Sequence, residues 1–219
     1  TMQVDTITSH TADVTLIADG SILDFNADTA NNITGVNINL IAQHGDIGTD
    51  TDALEIDSSN PAQGWLNAQA LNSSINVAET DGPLYVGQVL AATGNVRLSV
   101  RESALTDEDL IMDANAGISA PGGFVLLRVG DDVQMEEGAS ITAFSSITVR
   151  GDVDDLGVSA DPGVGTNMAF HGHLAAQDIY VYGRDDIDDI LFTPQSLSGW
   201  TRIFGGLEDD DVVIDRLPT

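Results

Sequence analysis

The stretch VGQVLAATGNVRLSV, residues 86–100, holds two short runs in which apolar side chains alternate with small or polar ones. Such alternation gives a strand one face to bury, and β-branched residues suit the pleated surface of a sheet. Gly94 and Asn95, between the two runs, are typical of a sharp corner. The stretch therefore predicts two short strands joined by a corner.

The second run of this stretch recurs along the chain. The residues that head the recurring runs are Val14, Ile38, Ile75, Val96, Val125, Ile147, Ile179 and Ile203. Their spacing varies from 21 to 37 residues, whereas the alternating core stays constant. A solenoid gives this pattern when loops of different length leave one corner of each coil. We therefore expect these residues to lie in one row of stacked strands.

Two further sets of short strands flank the first. The preceding set is GWLNAQAL (64–71), GQVLAATG (87–94), AGISAPGG (116–123), GASITAFSS (138–146) and GHLAAQD (172–178). The following set is SILDF (21–25), DIGT (46–49), PLYV (83–86), DVQM (132–135), DILF (189–192) and VVID (212–215). Three short strands per coil, with Gly, Asn and Asp at the corners, predict a right-handed parallel β-helix that spans residues 1–219 as a single solenoid.

Two other structural readings follow from the same sequence. An antiparallel sandwich also places short strands at regular spacing, so it is the alternative fold. The three sets recur in one order and the hairpin dipeptide Asn-Gly does not occur, which favours the β-helix. The segment TDEDLIMDA, 106–114, begins like a capping box at Thr106 and Asp109 and predicts one or two helical turns on a loop.

The composition limits the partners of the chain. The 219 residues include 35 acidic and seven basic side chains, for a net charge of -28, and every basic residue is arginine. Such a surface repels phosphate, so we expect no nucleic acid partner and no anionic membrane partner. The 42% hydrophobic fraction predicts a folded protein despite this charge. Unpaired carboxylates suit high salt or millimolar divalent cations, which weaken their repulsion.

The sequence sets only broad limits on the cellular compartment of the protein. The absence of cysteine excludes disulfides and thiolate metal sites, and it fits a bacterial exported protein. No apolar stretch approaches the length needed to span a bilayer, so we expect no membrane insertion. The first residues, TMQVDTITSH, lack the features of a signal peptide, and we therefore expect a mature chain or a piece of a longer one.

Several repeats resemble those of a known class of proteins. The units VNINLIAQHGDIGTDTDALEID (36–57) and VGQVLAATGNVRLSV (86–100) resemble repeats of filamentous haemagglutinin-like bacterial exoproteins. The segments ITAFSSITVRGD (141–152), FHGHLAAQDIYVYG (170–183) and TRIFGGLEDDDVVIDRLP (201–218) are similar to distal repeats of giant surface adhesins, which resemble RTX calcium repeats. The resemblance implies haemagglutinin-like coils in 1–120 and acidic, RTX-like coils in 121–219. It also implies export, residence at the cell surface or outside the cell, a stalk or adhesin role and no catalysis.

One corner becomes acidic in successive coils of the C-terminal third. Facing carboxylates on strands about 4.8 Å apart repel by about 0.9 kcal/mol in bulk water, and by more where the dielectric constant is lower. Calcium takes six to eight oxygen ligands with flexible geometry, so it would reverse this effect. The predicted ligands are Asp185, Asp186, Asp188, Asp189, Asp209, Asp210 and Asp211.

The acidic corner departs from the RTX pattern G-G-x-G-x-D-x-U-x. Residues 205–212 match its first two glycines, its Asp and its apolar position, but Glu208 stands where the third glycine belongs. The alternative to bound calcium is a solvated surface of the kind that halophilic proteins carry. The sequence leaves both explanations open.

The sequence favours a non-catalytic role. β-Helical polysaccharide hydrolases need two or three carboxylates on adjacent strands that face one cleft. Here the acids lie mainly at corners and aromatic residues make up only 5% of the chain. We therefore expect a structural or adhesive segment of a large secreted or cell-surface protein, and the hydrolase is the alternative. Its partners would be neighbouring domains and a cell surface, glycan or matrix, with residues 48–64 or 155–170 as candidate protruding loops.

Overall fold

The computed structural model describes residues 1–58, 63–102, 108–154, 156–157, 165–184 and 186–215. Within these ranges the protein contains β-strands and no helix, so no helix there could cross a membrane. The strands are, in chain order, β1 (Met2–Val4), β2 (Ile7–Thr8), β3 (Val14–Ala18), β4 (Ile22–Asp24), β5 (Ile33–Thr34), β6 (Ile38–Ala42), β7 (Leu54–Asp57), β8 (Trp65–Ala70), β9 (Ile75–Glu79), β10 (Leu84–Ala91), β11 (Val96–Val100), β12 (Leu110–Met112), β13 (Gly117–Ala120), β14 (Val125–Val129), β15 (Val133–Met135), β16 (Ser140–Ala143), β17 (Ser146–Arg150), β18 (Asn167–Phe170), β19 (His173–Arg184), β20 (Asp189–Phe192), β21 (Ser196–Gly206) and β22 (Asp211–Ile214).

The strands stack in parallel and fall into three rows. Row A contains β3, β6, β8, the end of β10, β13, β16 and the first parts of β19 and β21. Row B contains β1, β4, β9, β11, β14, β17 and the later parts of β19 and β21. Row C contains the start of β10, β12, β15, β18, β20 and β22. The early strands β2, β5 and β7 take the corresponding place in their coils, but they pair with one another and then with β9 of row B. Apart from the β1–β4 pair, the strands form one network, and this all-β architecture is consistent with a β-helix.

The core lies along the inner faces of the three rows. Alternate residues of most strands are buried, as in β14, where Val125, Leu127 and Val129 are inaccessible to solvent. These side chains belong to one continuous apolar cluster that runs from Val4 to Phe192. The loops between strands differ in length, but the inner faces of the strands stay apolar. The period-2 pattern of the strands therefore determines which residues share the core.

The pairing corrects the predicted rows in the first coils. Val14 pairs with Ile38, and Ile38 pairs with Leu66, so these residues lie in row A. In row B, Ile75 instead pairs with Ile47, and Ile47 pairs with Ile22 of the coil before. SILDF and DIGT therefore belong to row B, whereas the later members of both flanking sets lie in the rows predicted for them. The 37-residue step in the predicted row came from crossing between rows.

Two local predictions also differ from the structure. Ile203 pairs with Val181, and Thr201 is the register partner of Ile179, because β19 and β21 are long strands that offer two equivalent-looking alternating positions. The predicted helical turns at 106–114 are wrong at Leu110–Met112, which forms β12 between β10 and β15. Pairing on both sides overrides the local capping signal there. Residues 106 and 107 of this segment lie outside the described residues.

Candidate functional site

The acidic residues collect where the chain passes from a row B strand to the next row C strand, a segment that we call the B–C corner. In several of its later coils an acid stands two positions before the first apolar residue of the row C strand, whereas Thr166 takes this position before β18. Asp131 and Asp188 are buried in this position and Asp210 is half-buried. The next residues, Asp189 and Asp211, are exposed register partners. Strand alternation therefore divides the acidic run into an inner and an outer column.

The inner acids accept hydrogen bonds from the backbone of the preceding coil. The amide of Glu108 donates to Asp131 Oδ2 at 3.0 Å. The amide of Thr166 donates to Asp188 Oδ1 at 2.8 Å, and the amide of Asp188 donates to Asp210 Oδ1 at 3.1 Å. These amides stand at a corner, just outside the regular strand pairing. The inner acids thus have a structural role of their own, which is to satisfy backbone donors.

Asp188 is the most constrained of these acids. Asp188 is 1% exposed, and its Oδ2 atom accepts no hydrogen bond from the described residues. Burial, together with the nearby carboxylates of Asp210, Asp152 and Asp186, raises the pKa of Asp188 to about 6, although the hydrogen bond from the Thr166 amide acts in the opposite direction. Burial and the neighbouring charges therefore destabilise the ionised form of Asp188 at neutral pH, and a cation beside it would stabilise that form.

Two glycines make room for the inner acids. A Cβ atom on Gly183 would overlap the carboxylate of Asp188, and one on Gly205 would overlap that of Asp210. Neither glycine has a positive φ, so close approach and not backbone conformation requires them. Each glycine precedes its aspartate by five positions, which explains why Gly and Asp recur together at this corner.

The predicted calcium ligands are only partly drawn together. Asp188 and Asp210 are neighbours in the inner column and Asp189 and Asp211 in the outer one, whereas Asp186 and Asp209 flank them. Asp185 lies outside the described residues.

A different acidic group has the geometry of a cation site. Among the described residues, Glu102, Glu108 and Asp131 each place a carboxylate oxygen within 4.8 Å of the others. Glu108 and Asp131 are buried and Glu102 is half-buried. Glu102 and Glu108 lie in the corner segment between β11 and β12, and Asp131 lies in the corner of the next coil, so the group joins two stacked corners. Their common position between a row B strand and a row C strand is the signal that would have found Glu102 and Glu108.

The earlier coils fill the B–C corner with a different kind of polar group. Arg101 Nη2 donates to Glu55 Oε1 at 2.8 Å, and both side chains are buried. Burial raises the pKa of Glu55 to about 7, although Arg101 acts in the opposite direction. The Glu55 amide donates to Asn32 Oδ1 at 3.0 Å, and Asn32 Nδ2 donates to Asp24 Oδ1 at 2.8 Å. Here side chains of both charges and an amide complete the corner.

Glu79 belongs to the same early corner. It is inaccessible to solvent, and its Oε1 and Oε2 atoms accept hydrogen bonds from the Ser58 amide at 2.7 Å and the Ser58 hydroxyl at 2.6 Å. Burial raises the pKa of Glu79 well above its usual range, against these hydrogen bonds. Protonation would make Glu79 a neutral member of the core.

Comparisons with known proteins give no match, whether with family models, curated proteins or solved structures. Any functional conclusion therefore depends on the geometry of this chain. That geometry offers inward carboxylates that can satisfy backbone amides, a three-carboxylate group that can coordinate a hard cation, and an outer column of aspartates exposed to solvent.

Proposed function

We propose that this chain is a right-handed parallel β-helix with three strands per coil that acts as a non-catalytic structural or adhesive segment of a larger secreted or cell-surface bacterial protein. The observation that carries the proposal is the set of three rows, in which the chain returns to each row by parallel pairing along nearly its whole described length. Parallel stacking with one continuous core makes an elongated and rigid element. Its partners would be neighbouring domains and a cell surface, glycan or matrix.

Calcium is the cation that we propose for the B–C corner. The inner aspartates Asp188 and Asp210 adjoin each other, and the pKa of Asp188 is raised first by its burial and then by the neighbouring carboxylates. The Glu102, Glu108 and Asp131 group offers a second location. Calcium accepts carboxylate and carbonyl oxygens in irregular geometry, which suits a corner better than magnesium with its strict octahedron.

Thermal unfolding tests this proposal. The protein is unfolded in EDTA, in millimolar calcium and in millimolar magnesium at one ionic strength. A ligand that binds only the folded state stabilises it by mass action, so we expect a higher Tm in calcium than in EDTA or magnesium. Equal effects of calcium, magnesium and sodium chloride would instead identify the acids as a solvated surface.

A hydrolase remains the second candidate because of one observation in row C. Asp189 and Asp211 are register partners on adjacent strands and line one cleft of about 370 Å³, together with Asn167 and apolar side chains. Two carboxylates on one cleft are the minimum that glycoside hydrolysis requires. The test is release of reducing ends from a panel of neutral and acidic polysaccharides. Activity that Asp189→Asn and Asp211→Asn both abolish, while the variants keep their Tm, would replace the non-catalytic proposal.

A further inference from the structure

The arginines of this acidic protein gather on one surface. Of the seven, Arg101 is buried against Glu55 and Arg216 lies outside the described residues. The other five project from row B or its end, where alternation turns them outward: Arg97, Arg128, Arg150, Arg184 and Arg202. A random distribution among 35 acids would scatter them into ion pairs. Their collection on a single row gives the protein one basic face.

Three of these arginines line one cleft. Arg128, Arg150 and Arg184 surround a space of about 500 Å³ whose lining also includes Tyr182 and Asp154. Arg128 and Arg150 are register partners, so their side chains leave neighbouring strands about 4.8 Å apart. Like charges directly opposite each other destabilise a sheet, and an anion between them would remove that cost. The cleft is therefore positively charged within a strongly negative molecule.

Two of the three cleft arginines have no carboxylate partner. In the described part of the chain neither Arg150 nor Arg184 lies within ion-pair distance of an acid, although acids outnumber arginines five to one. The side chain of Arg184 donates a hydrogen bond to the backbone carbonyl of Asp152 at 3.5 Å. Arg97 and Arg202, by contrast, pair with Asp50 at 2.6 Å and with Asp178 at 3.3 Å.

Aromatic rings pack beside Arg150 of the cleft. The guanidinium of Arg150 lies 5.7 Å from the centre of the Tyr182 ring, and Phe204 stacks on the other side of that ring at 4.9 Å with a 6° tilt. Both faces of Tyr182 are thus covered, so this ring offers no stacking platform for a nucleobase. The edge of the Arg150 guanidinium is left open, and its N–H groups match the two oxygens of a carboxylate.

We propose that this cleft binds the carboxylate of an acidic polysaccharide, with Arg150 and Arg184 as the residues that contact it. The inference deepens the adhesive half of the proposed function and rests on it. A uronate polymer carries one carboxylate per sugar, a lower charge density than nucleic acid, so the surrounding acids repel it less.

Isothermal titration with a short oligogalacturonate tests the inference. EDTA is present throughout, so that calcium cannot bridge the sugar to the acidic corner. We expect binding that weakens with added salt, and no binding of the same oligomer after methyl esterification of its carboxyls. Arg150→Gln and Arg184→Gln should each weaken binding about tenfold or more, because each removes a charge-assisted fork. Arg97→Gln, on the same face but already paired with Asp50, is the matched control and should change binding less than about twofold.

Several outcomes would overturn the inference. They are absence of binding at low salt, equal binding of the methyl ester, equal losses in Arg97→Gln, and tighter binding of single-stranded oligothymidylate, which would identify a nucleic acid site. The Tm of each variant establishes that it is folded. Arg150→Lys provides a second variant, because it keeps the charge without the fork and should bind with intermediate affinity. Loss of sugar binding with an unchanged calcium-dependent Tm would leave the structural proposal intact.

Discussion

The early and late coils complete the B–C corner in two different ways. In the early coils the buried acid Glu55 faces Arg101, and Asn32 supplies an amide between strands. In the late coils Asp188 and Asp210 follow each other with no arginine between them, and they bind backbone amides instead. The same architecture thus tolerates a charge-paired corner and a purely acidic one. In our proposal an external cation completes the late corner, whereas the early corner has its own arginine.

The largest effect is expected from a substitution that breaks the Arg101–Glu55 charge pair of the early corner. Arg101→Met leaves the carboxylate of Glu55 buried without its cation, so the free energy of unfolding should fall by about 3–5 kcal/mol. Urea unfolding at neutral pH measures the change. The double variant Arg101→Met/Glu55→Gln should recover most of the loss, since it removes both charges. A cost below about 1 kcal/mol for the single variant would mean that the pair does not hold the early corner.

The next effect concerns the space for the inner acids of the late corner. Gly183→Ala places a methyl group where the Asp188 carboxylate lies, so we expect a loss of about 1–3 kcal/mol in urea unfolding. The loss should be smaller in an Asp188→Ala background, which a double-mutant cycle measures. Gly117→Ala is the control, because its methyl group meets only the mobile end of the Gln88 side chain. Equal costs in both backgrounds would show that the carboxylate is not the obstacle.

A smaller effect is the pH dependence of the late corner. The pKa of Asp188 is about 6 in the folded protein, above its usual value of 3.8, so the folded state binds the proton more readily. In EDTA the resulting stability is present at low pH and is lost as the pH rises through about 6. Asp188→Asn should remove about 1–2 kcal/mol of the fall in unfolding free energy between about pH 5 and pH 7.5.

The matched control for this pH experiment is Asp211→Asn, which removes one exposed negative charge from the same corner. Calcium should reduce the pH dependence of the unmodified protein, because a bound cation favours the ionised acid. An Asp188→Asn variant with the pH dependence of the unmodified protein would contradict the account of the late corner.

The smallest effect sharpens the contrast between buried and exposed pairs. Arg202 and Asp178 pair at 3.3 Å with both side chains about two-fifths exposed. Arg202→Gln should therefore cost less than about 1 kcal/mol in urea unfolding, far below the cost of Arg101→Met. A similar cost for both substitutions would mean that burial does not set the value of these pairs.

Much of the fold could be predicted from the strands themselves. From Ile75 to Ile179 the alternating runs fall in one row as predicted, because each run buries the same face. The early coils could not be aligned this way, since Val14 and Ile38 head runs that look alike but belong to row A. Two rows with the same period-2 pattern differ only in what they stack on, and a single sequence does not reveal that.

Less of the candidate site could be predicted. The acidity of the late corner was evident, but the inner and outer positions of Asp188 and Asp189 depend on where alternation resumes after the loop. Glu102 and Glu108 meet Asp131 only because two successive corners stack. The glycines were interpreted as turn residues, whereas Gly183 and Gly205 are required by the carboxylates beside them. Contacts between coils, and not local propensity, decide each of these features.

The most direct test of the contrast between the corners is hydrogen exchange followed by mass spectrometry in EDTA and in millimolar calcium. Calcium should slow exchange in residues 186–215 and around Glu108 and Asp131, where inward carboxylates of successive coils lie close together, and leave residues 1–58 unchanged. Slowing of equal size along the whole chain, or the same slowing by magnesium or sodium chloride, would contradict a cation-dependent late corner.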